Sequence, residues 1–343
     1  PISLISMQII PREKKKLFRL TARFGVVALL LFAALFYTVA MPDASYSGPF
    51  RRLSEQERSL RDRLRAHVVM LAETIGERNV WRRQELEASA EYIDKTLADM
   101  GYKVSSQYFE VRSVRVRNIE AELGGTSRKD EIVVVGAHYD SVAGSPGAND
   151  NGSGVAALLE IARLLAGTSL PRTVRLVAFV NEEPPFFQTR DMGSRVYAAR
   201  SRKRGENIRA MYSLETIGCY SDEPRSQHYP PPFSFFYPDR GNFIGFVTNI
   251  SSRSLLRRSI SSFRKYTAFP SEGAAIPGWI IGVSWSDHWS FWQDGYPAVM
   301  ITDTALFRYL HYHTREDTPD KLQYDRFARV TAGIARMVQE IAG

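Results

Sequence analysis

The sequence predicts an α/β fold in which a mostly parallel central sheet carries helices on both faces. Apolar strand-like runs alternate with helical patterns, several of these runs are short and continuous, and acids or histidines follow them directly. Continuous apolar runs are typical of strands covered on both faces, and parallel strands need helical crossovers. The expected elements are strand 131–137, helix 153–166, strand 173–180, helix 191–200, strand 209–215, strand 297–302 and a last helix at 324–341.

Two helices and several edge strands are expected before this alternating region. Ser54-Glu55-Gln56-Glu57 is a capping-box pattern, and apolar residues recur from Leu60 at helical spacing. A second helix is expected over 84–100. Alternating residues then predict edge strands within 102–116 and another strand at 118–123. This part of the chain should therefore pack helices and an antiparallel border onto the main sheet.

Two later segments have a different character. The stretch 220–245 interleaves prolines with aromatic residues, which predicts an ordered loop. Such a loop could shape a pocket or act as a lid, or it could be a surface excursion. The arginine-rich run 251–264 predicts an amphipathic helix with a solvated face.

Composition limits the class of function. The 343 residues are 44% hydrophobic and 24% charged, which is enough for one large domain after the N-terminal tail is set aside. The formal charge is +8, but residues 1–66 hold twelve Lys/Arg against five acids, so this tail carries +7 and the remainder +1. A nearly neutral domain argues against nucleic-acid binding. The single cysteine, Cys219, rules out a disulfide within the chain.

The N-terminal tail has the pattern of a membrane element. Residues 1–23 form a basic segment expected in the cytoplasm, and 24–41 form an uncharged, mostly apolar segment of 18 residues. An uncleaved anchor is the favoured interpretation, and a signal cleaved near Ala40 is the alternative. Residues 42–52 are then a linker, and 53–343 the folded domain, periplasmic or extracellular in either case.

Candidate functional residues follow the predicted strands. His138 and Asp140 follow strand 131–137, and Glu182 and Glu183 follow strand 173–180. Open α/β sheets bind ligands beyond the carboxyl ends of their strands. Three further candidates are Asp150 in a glycine-rich turn, Glu215 at the end of strand 209–215 and His313 beyond strand 297–302.

These residue types indicate metal chemistry. His138, Asp150, Glu183, Glu215 and His313 supply two imidazoles and three carboxylates, which suit two zinc ions bridged by one carboxylate. Asp150 is the expected bridge, because its turn 147–154 is rich in glycine and opens a helix. The remaining acids have distinct predicted roles: Glu182 is the general base, and Asp140 orients a ligand imidazole.

Five motifs together resemble the M28 family of zinc exopeptidases. They are His138-Tyr139-Asp140-Ser141, Ala148-Asn149-Asp150-Asn151-Gly152-Ser153-Gly154, Asn181-Glu182-Glu183, Ser286-Asp287-His288-Trp289-Ser290-Phe291 and Tyr312-His313-Thr314-Arg315-Glu316-Asp317-Thr318. The resemblance covers about residues 60–340, with the motifs in the family's order.

The resemblance implies a co-catalytic dizinc site in a zinc-aminopeptidase fold of the phosphorylase/hydrolase type. His138, Asp150 and Glu215 would hold one metal, and Asp150, Glu183 and His313 would share in binding the pair. Glu182 falls on the family's base, and Tyr312 on a tyrosine that donates to the tetrahedral intermediate. A cis peptide is expected at Asp150-Asn151.

The resemblance predicts a membrane-anchored, zinc-dependent aminopeptidase acting on peptides, with two zinc ions per chain expected and one possible. Glu215 stands where many such aminopeptidases have Asp, which leaves a one-zinc glutaminyl cyclase as an alternative. A carboxypeptidase is a second alternative, which would need a cationic clamp from Arg190, Arg195 or Arg308. A receptor-like relative without activity should have lost ligands or base, and this chain keeps them. The Ser286-Asp287-His288 segment could line the pocket or only hold its loop. The oligomeric state stays open.

Overall fold

The computed structural model describes residues 12–343, apart from the side chains of Arg12, Glu13, Lys15 and Leu31. It divides into two compact units, 1–40 and 41–343. In the first unit, helix α1 runs from Arg12 to Val39. Its stretch Lys16–Val39 is long and apolar enough to cross a membrane, a property that a signal sequence shares. Residues 1–11 of the predicted tail 1–23 lie outside the described residues.

The second unit is built around one eight-stranded sheet with the strand order β1-β2-β4-β3-β5-β8-β6-β7. Parallel pairing joins β4, β3, β5 and β8, and also β6 with β7. Antiparallel pairing adds β1 and β2 at one border and joins β6 to β8. The strands are β1 (Val104–Val111), β2 (Val114–Leu123), β3 (Arg128–His138), β4 (Arg172–Phe179), β5 (Asn207–Glu215), β6 (Ile244–Thr248), β7 (Ser271–Ala275) and β8 (Ala298–Thr302).

Helices cover both faces of this sheet. On one face, α2, α4, α6 and α8 share a large apolar core with the sheet, and α3 packs beside them. On the other face, α5 and α7 enclose a smaller core around Phe179 and Phe291. The helices are α2 (Glu55–Val69), α3 (Arg83–Asp99), α4 (Gly154–Leu165), α5 (Gly193–Lys203), α6 (Arg253–Tyr266), α7 (His288–Gln293) and α8 (Tyr324–Ala342).

The predicted fold class and its main elements are confirmed. The central strand β3 is buried on both faces, as the uninterrupted run Val133-Val134-Val135 predicts. The capping box is also present: the Glu57 amide donates to Ser54 Oγ at 3.2 Å, and the Ser54 amide donates to Glu57 Oε2 at 2.8 Å. Such a cap stabilises a helix by about 1 kcal/mol.

Several boundaries differ from the predictions. Residues 104–123 form a single hairpin, because Arg112 and Ser113 both take left-handed backbone angles and turn the chain after β1. The predicted loop 220–245 ends inside strand β6, which lies in the sheet. Helix α6 is amphipathic, as expected, and buries its apolar face against the core. These differences matter for function, because β6 and β7 form a wall of a cavity beside the candidate site.

Candidate metal centre

The five predicted ligands converge at one edge of the sheet. His138 is the last residue of β3, and Glu215 is the last residue of β5. Asp150 lies in a tight turn that leads into α4, Glu183 follows β4, and His313 lies in the loop after β8. Because β3, β4, β5 and β8 are parallel, their carboxyl ends meet at this edge.

We call His138, Asp150 and Glu215 the inner triad. The His138 Nε2 atom lies 3.3 Å from Asp150 Oδ1 and 3.4 Å from Glu215 Oε2. All three residues are buried. Their ligand atoms lie within 4.8 Å of one another, close enough to hold one cation.

We call Asp150, Glu183 and His313 the outer triad. His313 Nε2 lies 3.0 Å from Asp150 Oδ2 and 3.3 Å from Glu183 Oε2. Asp150 therefore turns one carboxylate oxygen to each triad, as a bridging ligand would. The second oxygen of Glu183 accepts a hydrogen bond from the Val142 amide at 3.1 Å, which fixes this carboxylate. The His313 side chain remains 31% exposed.

The donor set fits zinc. Tetrahedral ligands at zinc–ligand distances of 2.0–2.1 Å lie about 3.3 Å apart, close to the spacings within both triads. Among the described residues, His138 Nε2, His313 Nε2 and Asp150 Oδ1 are buried without a hydrogen-bond partner. Buried polar atoms are almost always satisfied, so these three converging atoms suit a cation as their common partner. No ligand or ion forms part of this structure.

The electrostatics of the cluster support the same conclusion. Burial raises the pKa of Glu183 to about 7, and the nearby Asp150 carboxylate adds to this shift. Burial also raises the pKa of Glu182, to which Glu215 and Glu183 contribute. Burial alone would lower the pKa of the His138 imidazole, but the Glu215 and Glu182 carboxylates outweigh this effect and raise the pKa. Buried carboxylates crowd this edge, and a divalent cation would relieve their mutual repulsion.

Asp140 and Glu182 stand beside the triads. Glu182 Oε2 is 3.9 Å from His138 Nε2, and the residue is buried. The Asp140 carboxylate accepts hydrogen bonds from the backbone amides of Glu182 (3.2 Å) and Glu183 (3.1 Å). The His138 ring is oriented differently from the prediction: its Nδ1 bonds to the Asp140 backbone carbonyl at 3.1 Å, whereas the carboxylate is 3.6 Å away. The carboxylate is occupied by the two amides, so Asp140 positions both the imidazole and the acidic pair.

Tyr312 borders the same site. Its ring stacks on His313 with centroids 3.9 Å apart, and it lines a cavity together with Glu215. Burial, followed by the Asp150, Glu183, Glu215 and Glu182 carboxylates, raises the pKa of the phenol. The hydroxyl therefore stays protonated near neutral pH and can donate a hydrogen bond.

Several residues hold the Asp150 turn in place, and their contributions were not predicted. The Asp317 carboxylate accepts hydrogen bonds from the amides of Asn149 (2.8 Å) and Asp150 (3.0 Å). Asn151 Oδ1 accepts from the Thr216 amide at 3.1 Å, which ties the turn to the end of β5. The expected cis peptide at Asp150-Asn151 is present. Asp317 stands in one of the family-like motifs, which was the only sequence signal for it.

Two further groups support the ligands without belonging to either triad. Ser286 Oγ donates to Glu215 Oε2 at 2.6 Å, so the Ser-Asp-His segment does touch the inner triad through its serine. Arg78 is fully buried and donates to the carbonyls of Tyr139 (2.8 Å) and Gly147 (3.0 Å), among others. Burial lowers its pKa to about 10, so the guanidinium remains charged near neutral pH.

Other candidates lie away from the metal ligands. His288 is buried, and its Nε2 bonds to the Val283 carbonyl at 2.8 Å, so this ring holds its own loop. The three arginines considered as a carboxylate clamp are in other positions. Arg190 is almost fully exposed beside Asp191, Arg195 pairs with Asp294, and Arg308 donates to Gln227, Cys219 and Phe243.

An apolar cavity opens beside the inner triad. The cavity and the open solvent at its mouth together occupy about 890 Å³. Glu215 and Tyr312 lie at its border with the site, and its walls come from β6, β7 and the loops after β5, β7 and β8. The predicted loop 220–245 thus shapes a pocket, with Phe233 and Tyr237 among its lining residues.

A sheet edge with two imidazoles, a carboxylate shared by two candidate ligand triads and an adjoining cavity is typical of a metal-dependent hydrolase. A family model described as peptidase family M28 matches residues 118–338. The chain belongs to peptidase family M28, and it is a metallo-exopeptidase.

The relatives agree with this family. The chain is 38% identical over 287 residues to the Escherichia coli protein "Uncharacterized protein YfbL", covering 81% of this chain and 87% of that one. It is 23% identical over 272 residues to "Probable aminopeptidase YDR415C" of Saccharomyces cerevisiae, covering 74% of this chain and 66% of that one.

Solved structures share the fold. A zinc aminopeptidase from Bacillus subtilis, BSAP, superposes with a TM-score of 0.66 at 17% identity, covering 82% of this chain and 95% of that one. A glutaminyl cyclase from Porphyromonas gingivalis gives a TM-score of 0.62 at 20% identity, covering 82% and 98%. Because both enzyme types share this fold, fold similarity alone does not choose between them.

Proposed function

We propose that this protein is a zinc-dependent aminopeptidase that removes N-terminal residues from peptides. The observation that carries the proposal is the pair of triads sharing Asp150, with Glu182 beside them. His138, Asp150 and Glu215 would hold one zinc ion, and Asp150, Glu183 and His313 the other. When bound, zinc lowers the pKa of water to about 7 and polarises a carbonyl.

Glu182 has the position of a general base. It carries no ligand role in either triad, yet its carboxylate reaches to 3.9 Å from His138 Nε2. Its raised pKa, caused by burial and neighbouring carboxylates, suits a group that takes a proton from water and returns it to the leaving amine. The Glu182 amide donates to the Asp140 carboxylate, which fixes the backbone that carries the base.

Tyr312 has the position of an oxyanion donor. Its protonated phenol stands between the outer triad and the cavity. A hydrogen bond from this hydroxyl would stabilise the negative oxygen of the tetrahedral intermediate, a role worth about 10²–10³ in turnover in other hydrolases. The stack on His313 links the donor to the metal-binding loop.

A carboxypeptidase would need a cationic clamp for the free carboxylate of its substrate. Of the three arginines considered for this clamp, Arg195 and Arg308 are engaged elsewhere, and Arg190 points into solvent. These contacts support an aminopeptidase over a carboxypeptidase.

The N-terminal helix supports a membrane location. We propose that 1–23 is a cytoplasmic tail, 24–41 an anchor and 42–52 a linker, with 53–343 as the peptidase domain outside the cytoplasm. The basic residues before the apolar stretch match the positive-inside rule. Release after signal cleavage would give the same domain in a secreted form.

One experiment tests the proposed activity. The full chain, purified in detergent, is analysed for zinc content and for hydrolysis of aminoacyl substrates with free and N-acetylated amino termini, with and without a chelator. We expect about two zinc ions per chain and chelator-sensitive release from free amino termini only. About one zinc ion, cyclisation of N-terminal glutamine peptides and no hydrolysis would identify a glutaminyl cyclase instead.

A further inference from the structure

A set of large apolar side chains is exposed on the loops that line the cavity. Phe235, Trp279 and Leu310 are 86%, 83% and 93% exposed, respectively, and each lies within two residues of a residue that lines the cavity. Ile281 and Leu306 are also exposed, and both line the cavity. We call these five residues the apolar rim. Scattered apolar residues are common on surfaces, but a group gathered on the loops of one cavity marks an interaction site.

The rim is held together by contacts between its loops. Gly282, next to Ile281, lies against the side chains of Phe307 and Leu306. On another side, the Tyr237 hydroxyl donates to the Gly273 carbonyl of β7 at 2.8 Å, which ties the Phe235 loop to this strand. The apolar rim therefore lies on loops attached to the β7 edge of the sheet, and contacts between these loops and β7 fix its position.

The chain enters the folded unit at the same edge of the sheet, beside β7. Met41 packs where a side chain on Gly273 of β7 would lie. Arg264 donates to the Pro42 carbonyl at 2.7 Å, and the Ser271 amide donates to Ser45 Oγ at 2.9 Å. These contacts pin residues 41–45 along the edge strand β7, at the opposite edge of the eight-stranded sheet from β1.

These two placements have a common consequence. The apolar stretch proposed as the membrane anchor ends at Val39, and two residues span at most about 7 Å. A bilayer crossed by that stretch would lie next to Met41 and hence next to β7. Trp279 and Ile281 follow β7 by only a few residues, so the apolar rim would face the bilayer surface.

We propose that the apolar rim contacts the lipid bilayer, so that the cavity opens at the membrane surface. Exposed tryptophan, phenylalanine and leucine side chains are the types that enter the interfacial region of a bilayer. The inference rests on the membrane anchor of the proposed function. It adds that the peptidase domain itself touches lipid, with its β7 edge toward the membrane and its β1 edge away from it.

The test places a fluorescent reporter on each edge of the sheet. The full chain is reconstituted into nanodiscs of phosphatidylcholine, with or without bromine on the acyl chains, and tryptophan fluorescence is compared. The difference between the original chain and Trp279→Phe isolates the signal of Trp279. The matched control adds Tyr108→Trp to Trp279→Phe, because Tyr108 is half-exposed on β1.

We expect brominated lipid to reduce the Trp279 signal about twofold or more, as for a ring that enters ~5–10 Å into the interface. The reporter at position 108 should be unaffected. Equal quenching at the two positions, or no quenching at position 279, would overturn the inference. No quenching at position 279 together with two chains per nanodisc would instead assign the apolar rim to a contact with a second copy of the chain.

A chain that did not remain with the nanodiscs would overturn the inference as well. Zinc content and hydrolysis are measured on the same samples. An active, zinc-loaded enzyme without quenching at Trp279 would refute only the lipid contact, whereas an inactive one with quenching would refute only the proposed activity.

Discussion

The inner and outer triads share Asp150 but differ in where their other ligands stand. His138 and Glu215 are the last residues of two paired, buried strands, β3 and β5. In the outer triad, Glu183 lies in a loop, and His313 lies in another loop with a partly exposed side chain. The inner ligands are held by the sheet itself. In the outer triad, Glu183 is held by hydrogen bonds with Asp140 and Val142, and His313 by its stack with Tyr312.

This difference teaches how one fold can bind two metals with unequal strength. A ligand set fixed by buried strands loses little conformational freedom when an ion binds, whereas loop ligands must be ordered. Solvent also reaches part of the His313 side chain, whereas the inner ligands are buried. We therefore expect the inner triad to retain zinc longer than the outer one.

The largest effect is expected from Asp150→Ala, which removes the one residue common to both triads. Zinc content should fall from about two ions per chain toward none, and hydrolysis should be lost. Zinc is measured by atomic emission after gel filtration, with Asp191→Ala, an acid outside both triads, as the control. Unchanged zinc content would show that Asp150 is not the bridge and that the two triads do not share a ligand.

The next largest effect is expected from Glu182→Gln. Turnover should fall by about 10²–10⁴, because a general base is lost. Both triads should keep their zinc, since Glu182 belongs to neither. Hydrolysis and zinc are measured together, and Glu316→Gln is a control because Glu316 is fully exposed near His313. Loss of zinc would show that Glu182 is a ligand.

A third test separates the triads. His313→Ala should weaken zinc binding at the outer triad, whereas Glu215→Ala should weaken it at the inner one. We expect each change to remove about one zinc ion per chain. Zinc release to a chelator is followed over time, and the fast phase is expected from the outer triad. This phase should be absent in His313→Ala and present in Glu215→Ala. Identical release from both variants would contradict the difference in strength.

The smallest effect concerns pH. Burial raises the pKa of Glu183 from 4.5 to about 7, so between these pH values the metal-stripped folded chain binds more protons than the unfolded chain. Its free energy of unfolding should therefore fall as pH rises through this window, on the order of 1–3 kcal/mol. Zinc favours the deprotonated ligands and should reverse the slope.

Urea unfolding at pH 5 and pH 7, with zinc or with chelator, measures both slopes. Glu183→Gln should flatten the slope of the stripped protein. A stripped protein that gained stability toward pH 7 would show that the buried carboxylates are already paired without metal.

The parts of the site that the sequence predicts are those that follow strands. His138, Glu182 and Glu183 come directly at or after apolar runs, and the topology of parallel strands brings such residues to one edge. Buried strands such as β3 and β4 carry strong patterns for the same reason. His313 is expected from its place beyond strand 297–302, and the family-like motifs add Tyr312, which no strand pattern would have placed beside the edge.

The parts that could not be predicted depend on contacts between distant residues. Strand β7 has the sequence Ser-Glu-Gly-Ala-Ala, which carries no strand pattern, and it is a strand because β6 pairs with it. The cavity is built from this edge and from loops, so its position could not be read from local sequence. Asp317 supports a turn 167 residues away along the chain, and nothing local announces that role.

The buried guanidinium of Arg78 sets a limit on how far the N-terminus can be shortened. The family match begins at residue 118, yet Arg78 donates to the carbonyls of Tyr139, Pro146 and Gly147, along the segment that leads to Asp150. A shortened chain that starts at residue 118 would leave these carbonyls without their donor. The smallest active unit must therefore begin well before the family match and include the residues around Arg78.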